Sequence, residues 1–102
     1  SDRYIGFILL NQEKSGYELC LFNRLGDQVI RREISGTYSN VKIDGDEVIM
    51  YDGSRCCIIT AAGIKKFEGD ISAEVLEIFK APGINRYYVM SVDGLRVIYL
   101  TK

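Results

Sequence analysis

A chain of 102 residues, 47% hydrophobic and 26% charged, has the make-up of one ordinary globular domain and the length to bury a single core without disulfide staples. Thirteen basic residues against fourteen acidic ones leave a net charge of -1, which removes the broad positive field that would gather nucleic acid or an anionic membrane. Histidine is absent, and with it go Ser-His and Cys-His nucleophile pairs, the commonest general base and the usual transition-metal sites.

No apolar stretch reaches the ~20 residues of a membrane span and no signal peptide opens the chain. Ser1-Asp2-Arg3 is not a natural start, as is expected of a chain whose N-terminal part has been removed. From there the chain reads as β-strands joined by turn chemistry. An apolar run, "GFILLN" (6–11), is followed by the turn "QEKSG" and a second run, "GYELCLFN" from Gly16. Gly26 in "RLGDQ" marks the next turn and introduces the more polar "VIRREIS". "NVKID" (40–44) and "EVIMYD" (47–52) flank "DGDE", and "GS" leads into "GSRCCIIT" (53–60). Gly63 in "AAGIK" then precedes "IKKFEG".

The segment "EVLEIFK" (74–80) reads two ways. Ser72 ahead of Ala73-Glu74-Val75-Leu76-Glu77 has the form of a capped helix, whereas the counterpart before "DGDEV" is extended; strand is the expectation, and Pro82-Gly83 ends it either way. "YYVMSVD" (87–93) and "GLRVIYLT" from Gly94 complete the chain.

These pieces repeat. Gly16, Gly53 and Gly94 each open a β-rich run and each is preceded by another, with matched pieces recurring every 37 to 41 residues, a spacing suited to a four-stranded propeller blade. The expected units are 4–35, 40–72 and 74–102 of a single β domain or propeller fragment. The middle runs are apolar on both faces, as in strands sandwiched between sheets. The third run of a unit carries a basic pair, Arg31-Arg32 or Lys65-Lys66, and is expected outermost. The first unit opens without its first strand and the third stops before its fourth. The fold class is therefore all-β, with antiparallel blade-like sheets making three partial repeats of a propeller; a small β-sandwich or barrel is the alternative. Three blades are fewer than the usual four to eight. The expected partner is protein, either the rest of the same propeller or another copy of the chain, with homo-oligomers forming when the segment stands alone.

The adjacent Cys56-Cys57 and the single Cys20 are read as buried space-fillers. Four residues beyond the three anchor glycines stand Cys20, Cys57 and Ile98. Consecutive strand residues point to opposite faces, so Cys56 and Cys57 cannot jointly hold one metal. Three cysteines cannot all pair, and their number fits a thiol-preserving setting, either the cytosol or the exterior of an anaerobe. Asp44-Gly45-Asp46-Glu47 with Asp52 resembles the opening of a calcium loop, but Val48 falls at a ligand position, and a hairpin turn accounts for it better. The seven tyrosines with Arg31, Arg32 and Arg86 could form a stacking surface for single strands; balanced charge speaks against it, and no nucleic-acid partner is assigned. No catalytic, cofactor-binding or metal residue is nominated, and no cofactor.

The tandem "GDEVIMYDGSRCCIITAAGIKKFEGDIS" and the ending "NRYYVMSVDGLRVIYLTK" resemble successive blades of WD40-like and quinoprotein-like propellers, and more narrowly those of uncharacterised membrane-anchored proteins of Gram-positive bacteria. That resemblance implies an extracytoplasmic propeller tethered by an N-terminal anchor, with no insertion of this segment itself. The Trp-Asp and Gly-His pairs of WD40 blades and the tryptophan docking motif of quinoproteins are absent, so no family site residue carries over. The functional expectation is a non-enzymatic binding or scaffolding module. The alternatives are a ligand-sensing domain with a pocket near Asn85, Arg86 and Asp44 at the strand ends, or a non-catalytic part of an enzyme.

Overall fold

The structure, a computed structural model, describes residues 4–11, 16–34 and 38–100. The expected turn at 12–15, residues 35–37 and the terminal residues 1–3 and 101–102 lie outside the described residues. Among the described residues, ten strands form three antiparallel sheets and there is no helix. The first sheet holds β1 (Tyr4–Asn11), β2 (Gly16–Asn23) and β3 (Gln28–Ile34). The second holds β4 (Asn40–Asp44), β5 (Glu47–Asp52), β6 (Arg55–Thr60) and β7 (Lys65–Asp70). The third holds β8 (Val75–Lys80), β9 (Arg86–Ser91) and β10 (Gly94–Tyr99), and in every sheet the strands lie side by side in chain order.

The four-stranded sheet lies in the middle and is buried on both faces. Val48, Met50, Cys57 and Ile59 pack with Leu19, Leu21 and Ile30 of the first sheet, with Tyr38 filling in from the connecting segment. Ile49, Tyr51, Cys56 and Ile58 pack with Val75, Ile78, Tyr87 and Val89 of the third sheet. The two sets alternate residue by residue along β5 and β6, because successive strand side chains leave opposite faces. Each fully buried aliphatic side chain contributes roughly 1.5–3 kcal/mol. A run such as Val48-Ile49-Met50-Tyr51 therefore holds two neighbours at once.

The two packings follow one pattern. β1, the edge strand of the first sheet, lies against β4; β5, which the matched hairpins align with β1, lies against β8. The β2–β3 and β6–β7 hairpins also match in detail. Asn23 N donates to Asp27 O (2.9 Å) and Gly26 N to Asn23 O (3.1 Å); Thr60 N donates to Ile64 O (2.8 Å) and Gly63 N to Thr60 O (2.9 Å). Gly26 and Gly63 hold φ of 86° and 87°, the left-handed region that glycine enters without steric cost. Each hairpin then carries a register irregularity at the same place, between Leu21 and Phe22 and between Ile58 and Ile59.

Residues 75–80 form a strand. Ser72 has φ of 59°, outside the extended region in which a helix N-cap sits, and Val75 N donates to Gly53 O (2.9 Å), tying the segment to the middle sheet. Two parts of the repeat reading change. Gly53 opens a two-residue turn with Ser54, whereas Gly94 follows its turn and pairs with Ser91, so these anchors are two residues out of step. A slip of two keeps every side chain on its face. The basic pairs are not equivalent either: Arg31 opposes Cys20, while Lys65 opposes Ile59 and Lys66 falls at the irregularity.

Candidate functional site

The third sheet turns an apolar face away from the core. Because Tyr87, Val89 and Ile78 face the middle sheet, the register sends Tyr88, Met90, Leu95 and Val97 to the other side, where Leu95 opposes Met90 and Val97 opposes Tyr88. Leu95 is 58% exposed, Val97 44% and Met90 43%. Aligning the two-residue turns of β5–β6 and β9–β10 places Tyr88, Met90, Leu95 and Val97 at the positions of Ile49, Tyr51, Cys56 and Ile58 respectively, which in the middle sheet are buried under a neighbour. Charge rims the patch. The Arg86 guanidinium lies 5.2 Å from the Tyr99 ring centroid, and Lys42 Nζ is 5.2 Å from that of Phe79 and 2.9 Å from Glu77 Oε1. Phe79 and Tyr88 meet at 5.4 Å between centroids, a tilted pair that fixes both rings.

On the far side of the first sheet the matching positions are mostly covered, with Glu18 and Cys20 buried there. Leu19 and Leu21 face the core, so Glu18, Cys20 and Phe22 face away, with Ile5 opposite Phe22 and 60% exposed. In the middle sheet the corresponding positions are Val48, Cys57 and Ile59, which pack against the first sheet. Arg31 Nε reaches Glu18 Oε2 at 2.7 Å on this face; the hydrogen bond and charge of Glu18 raise the Arg31 pKa further.

Between the middle and third sheets lies a buried polar cluster. Glu47, at the head of β5, accepts from Lys66 Nζ (2.7 Å) and from the Tyr87 hydroxyl, and Lys66 also donates to Tyr87 Oη (2.8 Å). Lys80 Nζ stands 3.8 Å from Glu47 and 3.6 Å from Asp46. Burial, and then the Glu47 carboxylate, push the Tyr87 hydroxyl pKa well above its ordinary value, so Tyr87 remains a donor. None of the three lines either of the two cavities described next, which leaves the cluster a cross-sheet tie.

One cavity of about 260 Å³ opens between the first two sheets, where Arg32 and Lys65 are offset by Glu33 and Glu68 and Cys57 forms part of the floor. Another, of about 200 Å³, lies by Ser72, Asp93 and Arg96. Both fall below the roughly 300–1,000 Å³ of ordinary ligand sites.

The candidates read from sequence do not converge. Asp44 and Glu47 flank a two-residue turn with Gly45 at φ 63°; Asp44 Oδ2 accepts from Lys80 N (2.8 Å), and no cluster of three possible metal ligands occurs among the described residues. Tyr51 and Tyr87 are buried in one core and Tyr38 in the other, so the tyrosines form no common stacking surface. Neither cavity is lined by Asp44, Asn85 or Arg86. Cys20, Cys56 and Cys57 are free and buried. Burial, then Cys57 beside it, lifts the Cys56 pKa to about 12, and burial, then Glu68, lifts that of Cys57, so neither thiol is poised as a nucleophile. Sequence reading missed the Glu47–Lys66–Tyr87 cluster. Its members are 19 to 40 residues apart, and only the acid opening the apolar run at Glu47 hinted at it.

A model for a family of unknown function, DUF5711, matches residues 1–100. The chain belongs to that family. No curated protein and no solved structure matches it. For a DUF5711 chain, then, the exposed apolar face of the third sheet is the feature from which a role can be argued.

Proposed function

We propose that this DUF5711 chain is a run of propeller-type blades that serves as a non-enzymatic binding or scaffolding module. The observation that carries the reading is the repeated, one-directional packing of its sheets: β1 lies against β4 as β5 lies against β8, with matched turns at Gly26 and Gly63. Blades stacked face to face around an axis present such alternating two-faced strands, and a terminal blade leaves an apolar face for its next neighbour. The partner is protein, because the third sheet offers aliphatic and aromatic side chains with charge confined to the rim. The resemblance to anchored extracytoplasmic propellers adds a location outside the membrane, which protease accessibility on intact cells would check.

The test is an experimental structure of the natural protein in its longest form. The reading expects further antiparallel sheets continuing round a common axis, one of them covering Tyr88, Met90, Leu95 and Val97. That face lying open, or covered by a helix, in the complete protein would overturn it.

A further inference from the structure

One register position recurs in all three sheets, on the face that each turns towards the next. The matched turns at Gly26 and Gly63 align Tyr4, opposite Asn23, with Glu47, opposite Thr60. The two-residue turns align Glu47 in turn with Arg86, opposite Tyr99. Under a neighbouring sheet the position is covered: Tyr4 packs against the first core, and Glu47 is only 6% exposed. Glu47 shows what happens when the position is charged. It takes Lys66 from its own sheet, and from the third sheet it takes the Tyr87 hydroxyl and Lys80 Nζ at 3.8 Å. The covering sheet supplies the complement to the charge laid against it.

At Arg86 the sign is reversed. The guanidinium sits over the Tyr99 ring, and the chain runs so close to Gly83 that a Cβ there would stand 3.0 Å from Arg86 Cδ. Ring and glycine together hold the group at the head of the patch formed by Tyr88, Met90, Leu95 and Val97. Glu77, a carboxylate opposite Met90, is held by Lys42, and no ion pair joins Arg86 to any described residue. A guanidinium buried as deeply as Glu47, with no anion beside it, carries a desolvation cost that an apolar cover cannot offset.

We propose that the sheet covering this face brings a carboxylate to Arg86, from the strand position that Lys80 or Tyr87 holds in the third sheet. The proposal rests on the blade reading above and names the chemistry of the partner surface. That surface is a β-sheet face of aliphatic and aromatic side chains with one aspartate or glutamate at the level of Arg86. Arginine suits the role, because its planar fork meets a carboxylate through two parallel N–H donors.

The experiment uses the natural protein in its longest form, carrying Arg86→Lys. A water-soluble carbodiimide condenses an amine with a carboxylate in direct contact to give an amide, and takes up the lost water as it becomes a urea. Peptide mapping is expected to show position 86 joined to an aspartate or glutamate of the same molecule outside residues 1–102. Arg86→Glu, which sets like charges together, is expected to melt lower than Arg86→Lys, and equal melting overturns the proposal. The blade reading is scored separately on wild type, through Met50, 0% exposed, and Met90, 43% exposed in this chain. A covered face makes peroxide oxidise Met90 as slowly as Met50. Slow oxidation with no joined carboxylate, or with one inside residues 1–102, sinks the carboxylate and leaves the blades standing. A join to a second molecule, seen as a doubled mass, also overturns the proposal. Rapid oxidation of Met90 shows an uncovered face and removes both.

Discussion

Cys56 and Cys57 are consecutive in sequence and belong to different cores: Cys56 packs with Ile49, Ile78 and Val89, Cys57 with Leu19, Leu21 and Met50. The middle sheet separates them, so they share neither a metal nor a solvent path. Replacing Cys56 with serine puts a hydroxyl into an apolar core, at a cost of about 1–3 kcal/mol, whereas at Cys57 the Tyr38 side chain is within hydrogen-bonding reach and the loss should be smaller. Alanine costs less at Cys56. Urea unfolding of Cys56→Ser and Cys57→Ser should show the loss separately, and the double variant should lose about the sum, since each defect lies in its own core.

The raised cysteine and tyrosine pKa values set the alkaline limit of stability. Unfolded, the Cys56 thiol ionises at an ordinary value of 9.0; folded, it keeps its proton up to about 12. The folded state therefore binds the extra proton as pH rises past 9, and stability present below that point is lost on the way to 12. Tyr87, also raised, adds a loss of the same sign at still higher pH. Chemical denaturation across about pH 8 to 11 should show a falling midpoint, with a shallower fall in Cys56→Ala. An unchanged slope in that variant would remove Cys56 as the cause.

The Glu47–Lys66–Tyr87 cluster ties the second and third sheets, and its members should not contribute additively. Tyr87→Phe leaves Glu47 short of one donor, for about 1–3 kcal/mol. Lys66→Met removes the nearer of two cations beside a buried carboxylate, leaving Lys80 at 3.8 Å, and should cost more than Tyr87→Phe, up to about 3–5 kcal/mol. Lys66→Met combined with Glu47→Leu should recover most of that loss, because no uncompensated charge remains. Thermal melts of the three variants check the order.

Gly26 and Gly63 should respond alike. A Cβ at either position would meet nothing within 4 Å, so the cost of alanine is the left-handed backbone alone, about 1–2 kcal/mol. Equal drops in melting temperature for Gly26→Ala and Gly63→Ala would confirm that the two turns are copies of one device; a large inequality would mean one of them is held by contacts elsewhere.

What the sequence disclosed follows period and turn chemistry. The unbroken apolar run Val48-Ile49-Met50-Tyr51 announces a strand buried on both faces, and single glycines between β-rich runs mark the hairpins, because both signals are local. The strand at 75–80 was harder, since Ser72 and Glu74 also satisfy the opening of a helix; pairing with β9 and the positive φ of Ser72 decide against it. The basic pairs misled. Arg31-Arg32 and Lys65-Lys66 look alike as text, but Arg31 comes five residues after Gly26 and Lys65 two after Gly63, so they stand at different heights in matched hairpins, giving Arg31 to Glu18 and Lys66 to Glu47. The exposed face of the third sheet was visible only as an excess of apolar residues, because exposure depends on how the sheets stack and not on local pattern.

The central claim is that the middle sheet carries a separate core on each face, and methyl-resolved nuclear Overhauser spectroscopy tests it most directly at the neighbouring residues Ile58 and Ile59. The account expects Ile58 to show contacts with Val89 and Ile78 but none with the leucines of β2, and Ile59 to show contacts with Leu19 and Leu21 but none with Val89. Both isoleucines reporting the same set of neighbours would contradict it.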